Sequence, residues 1–309
     1  MNVFLGIALQ TGATFLFTLM GALIRYVDVR VPTGEVVFAR SFLALLPLFA
    51  VLAWRREISS AVKFKYPRKH VLRALTGITA MVFLFLGLTR LPLADATAIG
   101  FATPLINVAL AAIFLGEAGR MWRWGAGIVG FIGVMVMLAP HLSLTDFTSR
   151  AAEGAILTLL GAFFTAAAMT QVRAMSKVET TASLVFSFQA VASVAGLLSL
   201  PWGWVLPSGG DALALLGIGV FGGFAQILLT ESYRHAPASV VAPFSYTAMI
   251  WSVVLGYFMF AELPDRFIWI GACIVIAAGL FVIYRERQLG IDRSRAKEAQ
   301  VPPAGPPVE

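Results

Sequence analysis

The chain has 309 residues, of which 59% are hydrophobic and only 13% are charged. A soluble globular protein is about one quarter charged, because its surface must face water. This composition therefore excludes a soluble protein and predicts an integral membrane protein. The formal net charge of +7 does not indicate nucleic-acid binding, since Lys and Arg collect in the cytoplasmic loops of membrane proteins.

Ten apolar runs are long enough to cross a bilayer, for which a helix needs about 20 mostly apolar residues. The first run is too long for a signal peptide and lacks its basic start and cleavage site, so it is predicted to be a membrane helix. In chain order the runs are residues 3–27, 33–54, 71–89, 92–115, 122–140, 153–174, 181–201, 211–232, 237–260 and 266–284. Residues 285–309 turn polar and then Pro-rich, which predicts a disordered cytoplasmic tail.

The distribution of basic residues predicts the orientation of the chain. With a cytoplasmic N-terminus, seventeen Lys and Arg residues fall on the inside and five on the outside. The inside group includes every basic residue from Arg55 to Arg73, which are assigned to a loop and its margins. Because basic residues favour cytoplasmic loops, both termini are expected in the cytoplasm.

A repeat relates the two halves of the chain. Residues 88–117 align without a gap with residues 233–262 at a shift of 145 residues, and Phe101 falls on Tyr246. The two copies lie five helices apart, an odd number, so they cross the membrane in opposite directions. The sequence therefore predicts an all-α membrane protein of ten transmembrane helices. They form two inverted five-helix repeats, an arrangement typical of secondary transporters, at residues 3–140 and 153–284.

The aligned helices end in FLGE at Glu117 and in GYFMFAE at Glu262, and VGFIGV follows at residues 129–134. Together with the two inverted halves, these motifs resemble the drug/metabolite transporter superfamily and, within it, the EamA-domain transporters. The resemblance covers about residues 3–285. The segments PLINVALAAIFLGE, FARSFLALLPL and APFSYTAMIWSVVLGYFMFAELPD are most similar to a bacterial subgroup that includes riboflavin and S-adenosylmethionine transporters. This resemblance implies a flavin or nucleoside-like substrate; amino-acid exporters are similar at greater distance.

Two charged residues of the second run are candidates for function. Arg40 lies several residues inside the run, where a charge costs a few kcal/mol and normally faces a cavity or a partner. It is either an anchor for an anionic or carbonyl-bearing substrate group or a tether near the outer interface. Glu35 is either an interfacial ion-pair partner of Arg25 or the protonatable carboxylate of a proton-coupled carrier.

Uncharged polar residues deep in the runs must find hydrogen bonds in hydrocarbon. Singly each favours contact between helices, but as a set they are able to line one substrate cavity: Gln10, Thr14, Asn107, Gln189 and Gln226. Tyr246 and Trp251 in the ninth run, with Phe101 in the fourth, offer aromatic faces to a planar substrate or serve in packing.

No metal site or cofactor is expected. The one cysteine, Cys273, lies in an apolar run, and His70, His141 and His235 lie at separate segment ends. This excludes a disulfide framework and a cysteine metal cluster, and the chain has no P-loop motif for ATP. A membrane enzyme would need acids, histidines or a metal at one depth, so we expect no enzymatic activity.

The favoured hypothesis is a secondary transporter that moves a small organic metabolite across the bacterial inner membrane by alternating access. Riboflavin uptake is the favoured activity, and a transporter of S-adenosylmethionine or an exporter of amino acids or other metabolites is the alternative. A non-transporting membrane receptor or scaffold is the alternative of another class. The expected partners are the small-molecule substrate and the lipid bilayer. The sequence also allows a homodimer.

Overall fold

The described part of the chain is helical, without a β-strand in it. The computed structural model describes residues 3–28, 30–54, 56, 58–115, 121–139, 149–176, 178–236 and 238–299. Glu117, His141 and the last ten residues of the predicted tail lie outside this set.

Among the described residues, seven α-helices precede residue 140: α1 Val3–Val27, α2 Thr33–Trp54, α3 Ile58–Ala61, α4 Pro67–Leu88, α5 Leu93–Gly100, α6 Ala102–Leu115 and α7 Met121–Leu138. Six follow: α8 Arg150–Met175, α9 Thr181–Leu198, α10 Gly209–His235, α11 Ala238–Val241, α12 Thr247–Phe260 and α13 Arg266–Ala299. Short 3-10 helices occupy Leu200–Trp202 and Ala242–Tyr246.

Eight helical segments among the described residues are long and apolar enough to cross a membrane. The predicted fourth and ninth runs are not continuous α-helices, which corrects the sequence prediction. The fourth is interrupted at Phe101 between α5 and α6, and the ninth contains the 3-10 segment that ends at Tyr246. A proline explains each interruption, since it cannot donate the helical hydrogen bond and its ring clashes with the carbonyl four residues earlier. Pro104 follows the first interruption closely, and Pro243 lies in the 3-10 segment.

Packing is pairwise. Helix α1 runs along α10, α4 along α8, and α7 along α13, while α2 packs on both α9 and α10. Two apolar cores result. One lies around α5, α7, α8 and α13, and the other around α1, α2, α9 and α10.

One end of the bundle carries a cluster of exposed basic residues. Lys63, Lys65 and Arg68 lie between the end of α2 and the first turn of α4, and α9 begins at the same end. Glu179, two residues before α9, fixes this arrangement by accepting hydrogen bonds from the backbone amides of Lys65 and Tyr66, both at 2.9 Å. We call this end the basic side and the other end the opposite side.

Helix α13 is longer than predicted. It continues to Ala299, so residues 285–299, predicted as part of a disordered tail, are helical. The segment is rich in Arg, Lys, Glu and Ala, which are good helix formers. Gln288 also contacts residues one turn away, donating to the Tyr284 hydroxyl and accepting from Arg285.

Candidate functional site

A cavity with about 730 Å³ of empty space, including its open mouth, lies against α2, α9 and α10. Ala44, Leu48 and Val51 line it from α2 and recur at helical spacing on one face. Gln189 of α9 and Gln226 of α10 are the polar lining residues nearest the middle of their helices. The cavity therefore runs from the basic side towards the middle of the bundle.

Arg40 lies at the deep end of this cavity face, one helical turn beyond Ala44. Its side chain is buried, with 8% of the residue exposed, and its guanidinium donates to the Gln189 Oε1 atom at 2.8 Å. Gly222 of α10 lies against Arg40 and Met20: a Cβ there would be in ordinary contact with Arg40 Nε at 3.7 Å but too close to Met20 Sδ at 2.7 Å. The structure thus brings together three of the residues predicted from sequence, Arg40, Gln189 and Gln226.

Arg73 is a partly buried charge that is not among the functional residues predicted from the sequence. Its guanidinium carbon lies 4.2 Å from the centroid of the Phe188 ring, and Arg40 lies 5.8 Å from the same centroid. Hydropathy alone starts the third run at residue 71, which groups Arg73 with the basic residues of the preceding loop. Pro67 occupies the first turn of α4, a position that favours proline, and that signal would have placed Arg73 inside the helix.

Gln10 and Thr14 connect α1 to the second half of the chain. Gln10 donates to Ser245 at 2.8 Å and accepts from Ser232 at 2.9 Å, while Thr14 lies 2.8 Å from the Thr247 hydroxyl. Both side chains are buried. These bonds match the helix-contact alternative for the two residues and join α1 to α10 and to the interrupted ninth run.

Asn107 lies apart from the Arg40 cluster. It accepts a hydrogen bond from Thr170 at 2.9 Å and so links α6 to α8. It is not among the residues that line the cavity.

The two helix interruptions meet through aromatic rings. Phe101 and Tyr246 pack edge to face, with centroids 5.1 Å apart. One turn further along α12, Trp251 packs edge to face on Phe15, at 5.2 Å. The indole N–H of Trp251 is buried and has no hydrogen-bond acceptor in the described part of the chain.

Glu35 does not pair with Arg25, contrary to one alternative in the sequence analysis. Its carboxylate accepts the backbone amide of Val205 at 3.2 Å. Arg25 instead binds the Glu262 carboxylate and the carbonyl oxygen of Leu91. Burial raises the pKa of Glu262, although Arg25 lies against it. This contact, which we call the Arg25 latch, joins α1 to the ends of both interrupted runs on the opposite side.

A second polar cluster lies at the basic side. His70 of α4 is 2.7 Å from the Ser187 hydroxyl through Nδ1 and 3.4 Å from Glu179 through Nε2. Within the described residues, no group of three or more His, Cys, Asp or Glu side chains is arranged to hold a metal ion.

Apolar helices of membrane-spanning length, packed around a largely apolar cavity with a few polar lining residues, define a multi-pass membrane protein. The EamA-like transporter family matches the chain twice, at residues 4–139 and 152–285. The chain belongs to this family and is a membrane transport protein.

Relatives of known name are similar over most of their length. The S-adenosylmethionine uptake transporter of Rickettsia prowazekii (strain Madrid E) is 32% identical over 267 residues, covering 85% of this chain and 87% of the relative. The pseudopaline exporter CntI of Pseudomonas aeruginosa is 28% identical, covering 88% and 94%. The riboflavin transporter of Rhizobium johnstonii is 25% identical, covering 87% and 88%.

A solved crystal structure shares the fold. It superposes with a TM-score of 0.65 at 19% sequence identity and covers 92% of this chain and 98% of its own. At this identity the similarity shows the fold alone.

Proposed function

We propose that the chain is a secondary transporter that moves a small organic metabolite across the bacterial inner membrane by alternating access. The observation that carries this proposal is the contact between Phe101 and Tyr246. Each residue lies at the interruption of a membrane helix, and the sequence repeat aligns the two positions. Interrupted helices at the interface of two repeats are where secondary transporters bind their substrates.

The two repeats are proposed to be inverted five-helix units at residues 3–140 and 153–284. The helix pairing supports this arrangement. The repeat aligns α1 with α8 and α4 with α10, so the contact between α1 and α10 corresponds to the contact between α8 and α4. The two family matches, at 4–139 and 152–285, agree closely with the proposed boundaries. The polar contacts of Gln10 and Thr14 then lie between the two units, where rocking takes place.

For the substrate, S-adenosylmethionine is our first candidate and riboflavin, which the sequence segments favoured, is the second. Both carry a planar ring system that suits the aromatic residues Tyr246 and Trp251. The higher identity to the S-adenosylmethionine relative, 32% against 25%, supports the first. Export of an amino acid or another metabolite is a third candidate, supported by the similarity to the pseudopaline exporter.

Uptake into proteoliposomes tests the proposal. Purified protein is reconstituted, and the entry of radiolabelled S-adenosylmethionine and of riboflavin is followed against empty liposomes. We expect saturable, time-dependent entry of one of them that excess unlabelled compound suppresses. Saturable binding without entry would instead indicate the non-transporting receptor of the sequence analysis.

Coupling to protons is proposed to involve Glu35, a buried carboxylate held by the Val205 amide. The variant Glu35→Gln keeps the size of the side chain and removes its charge. We expect it to flatten the dependence of uptake on external pH. Unchanged pH-dependent uptake would exclude Glu35 and direct attention to Glu262, whose pKa is raised by burial.

A further inference from the structure

Two guanidinium groups, that of buried Arg40 and that of partly buried Arg73, share one aromatic ring in the middle of the bundle. Arg40 and Arg73, from α2 and α4, both lie over Phe188 of α9. The Nε and one terminal nitrogen of Arg73 are buried without a hydrogen-bond acceptor. Arg40 has the neutral Gln189 amide as its side-chain hydrogen-bond partner. Within the described residues, neither guanidinium forms an ion pair.

This arrangement is electrostatically unfavourable without a ligand. A charged side chain inside a membrane helix is energetically costly. The two guanidinium carbons lie 5.8 and 4.2 Å from the same ring centroid, so their like charges repel each other. Such groups normally pair with an opposite charge or face a water-filled cavity. The described residues supply no carboxylate for this pair, so the site is complementary to an anion.

Arg73 is less exposed than the basic residues at the start of α4. Its guanidinium lies on a ring that also packs over Gly77, where a Cβ would approach Phe188 Cε2 to 2.8 Å. Gly77 lies one turn deeper in α4 than Arg73. The side chain therefore points along the interior of the bundle, whereas Arg68 near the start of α4 is exposed.

The cavity leads to Arg40. Gln189 lines the cavity and accepts a hydrogen bond from Arg40. Arg40 also lies on the same face of α2 as the cavity-lining residues Ala44 and Leu48. A ligand that enters from the basic side reaches the Gln189 amide first and the guanidinium behind it.

We propose that Arg40 and Arg73 together bind the carboxylate of the transported metabolite, so that the substrate class is a carboxylate-bearing, amino-acid-like compound. Guanidinium groups match a carboxylate with parallel hydrogen bonds. The hydrogen bond between Arg40 and Gln189 then breaks, and Arg40 donates to the ligand instead. This inference rests on the transport function proposed above and favours S-adenosylmethionine over riboflavin, which has no carboxylate.

A pair of ligands that differ in one group tests the inference. S-adenosylmethionine and its decarboxylated form share the ring, the sugar and the sulfonium, and only the first has the carboxylate. Equilibrium binding of each to the purified full-length protein is measured for the wild type and for Arg40→Gln, Arg73→Gln, Arg40→Lys and Arg68→Gln. Entry into proteoliposomes is measured in parallel, and size-exclusion profiles establish that each variant is folded.

We expect the wild type to prefer S-adenosylmethionine to its decarboxylated form. Arg40→Gln and Arg73→Gln should weaken binding of S-adenosylmethionine roughly 10- to 100-fold, which corresponds to one lost charge-assisted hydrogen bond, and should leave the decarboxylated form unchanged. Arg40→Lys should retain part of the affinity. Arg68→Gln removes an exposed charge near the same helix end and should have no effect.

Other outcomes separate the inference from the transport function. Equal binding of the two ligands, failure to bind S-adenosylmethionine, or riboflavin entry that is insensitive to both arginine variants would overturn the inference. Riboflavin entry would still leave the transport function intact. Carboxylate-dependent binding that requires Arg40 and Arg73 but gives no entry would support the inference and contradict transport.

Discussion

Trp251 carries a buried indole N–H that has no acceptor in the described part of the chain. A buried donor without a partner costs free energy, and a transporter recovers that cost when a substrate supplies the acceptor. The edge-to-face contact with Phe15 holds the ring in place. Trp251 is therefore the aromatic candidate from the sequence with the strongest structural support for a binding role.

The variant Trp251→Phe tests this role. It removes the donor and keeps an aromatic ring against Phe15, so we expect the thermal stability to stay close to that of the wild type. The KM for the transported compound should rise roughly 2- to 10-fold, as for one lost hydrogen bond. Trp269→Phe is the control, since Trp269 is exposed on α13. An unchanged KM would assign Trp251 to packing.

Glu179 is the second residue with a measurable consequence. Burial opposes its ionisation, but the amides of Tyr66 and Lys65 and the neighbouring His70 outweigh burial and hold the pKa of Glu179 below its ordinary value of 4.5. Because the folded-state pKa is lowered, the stabilisation is complete above the ordinary pKa. It is lost as the pH falls through the lowered value.

We expect Glu179→Gln to lower the melting temperature at pH 7, in line with about 1–3 kcal/mol for hydrogen bonds to a charged acceptor. The difference from the wild type should stay constant down to about pH 5 and shrink below the ordinary pKa. Thermal unfolding in detergent across this pH range measures both effects. The control is Glu153→Gln, which breaks an exposed ion pair with Arg90 and should change the melting temperature little. A melting-temperature difference for Glu179→Gln that grows on acidification would contradict the role assigned to Glu179.

At the scale of elements, close approach of helix backbones holds α2 against α9. A Cβ on Gly196 would lie 2.7 Å from both the Cα and the N atoms of Phe38. Backbone atoms cannot move aside as a side-chain end does. Small residues at such crossings are the usual means of packing helices in membranes.

Gly196→Ala should therefore destabilise the protein by about 1–3 kcal/mol through overpacking, seen as a lower melting temperature in detergent. The matched control is Gly127→Ala on α7, where a Cβ meets nothing within 4 Å. The control should be neutral or slightly stabilising, because alanine favours helix over glycine. Equal melting temperatures for both variants would show that the α2–α9 crossing adjusts without cost.

The sequence predicted where the helices lie because apolar length and composition determine membrane insertion. Helices α1 and α2 begin and end at the predicted residues. The interruptions were missed because hydropathy continues through Phe101 and Tyr246, although Pro104 and Pro243 gave the local signal. The partners of individual side chains were harder to predict than the helix interruptions. The sequence placed Glu35 beside Arg25, but Glu262, which is distant in sequence, binds Arg25, and such contacts depend on how α1 and α12 pack.

For the whole molecule, the proposed orientation is directly testable. In a Cys273→Ser background, single cysteines are introduced at Lys63 on the basic side and at Gly209 on the opposite side, both exposed. With the basic side in the cytoplasm, a membrane-impermeant maleimide should label Gly209→Cys in intact cells. It should label Lys63→Cys only after permeabilisation, and the reverse pattern would invert the assigned topology.

The Arg25 latch has a consequence for how this transport protein can be inhibited. Arg25 also lies over the Phe260 ring at 4.9 Å, so α1 and both interrupted runs are held together on the opposite side while the cavity extends to the basic side. A small-molecule inhibitor shaped to this cavity has an entrance at one face of the membrane. With the inhibitor bound, the contact between Arg25 and Glu262 would stay formed. Transport in inside-out vesicles and in intact cells should therefore differ in its sensitivity to the inhibitor.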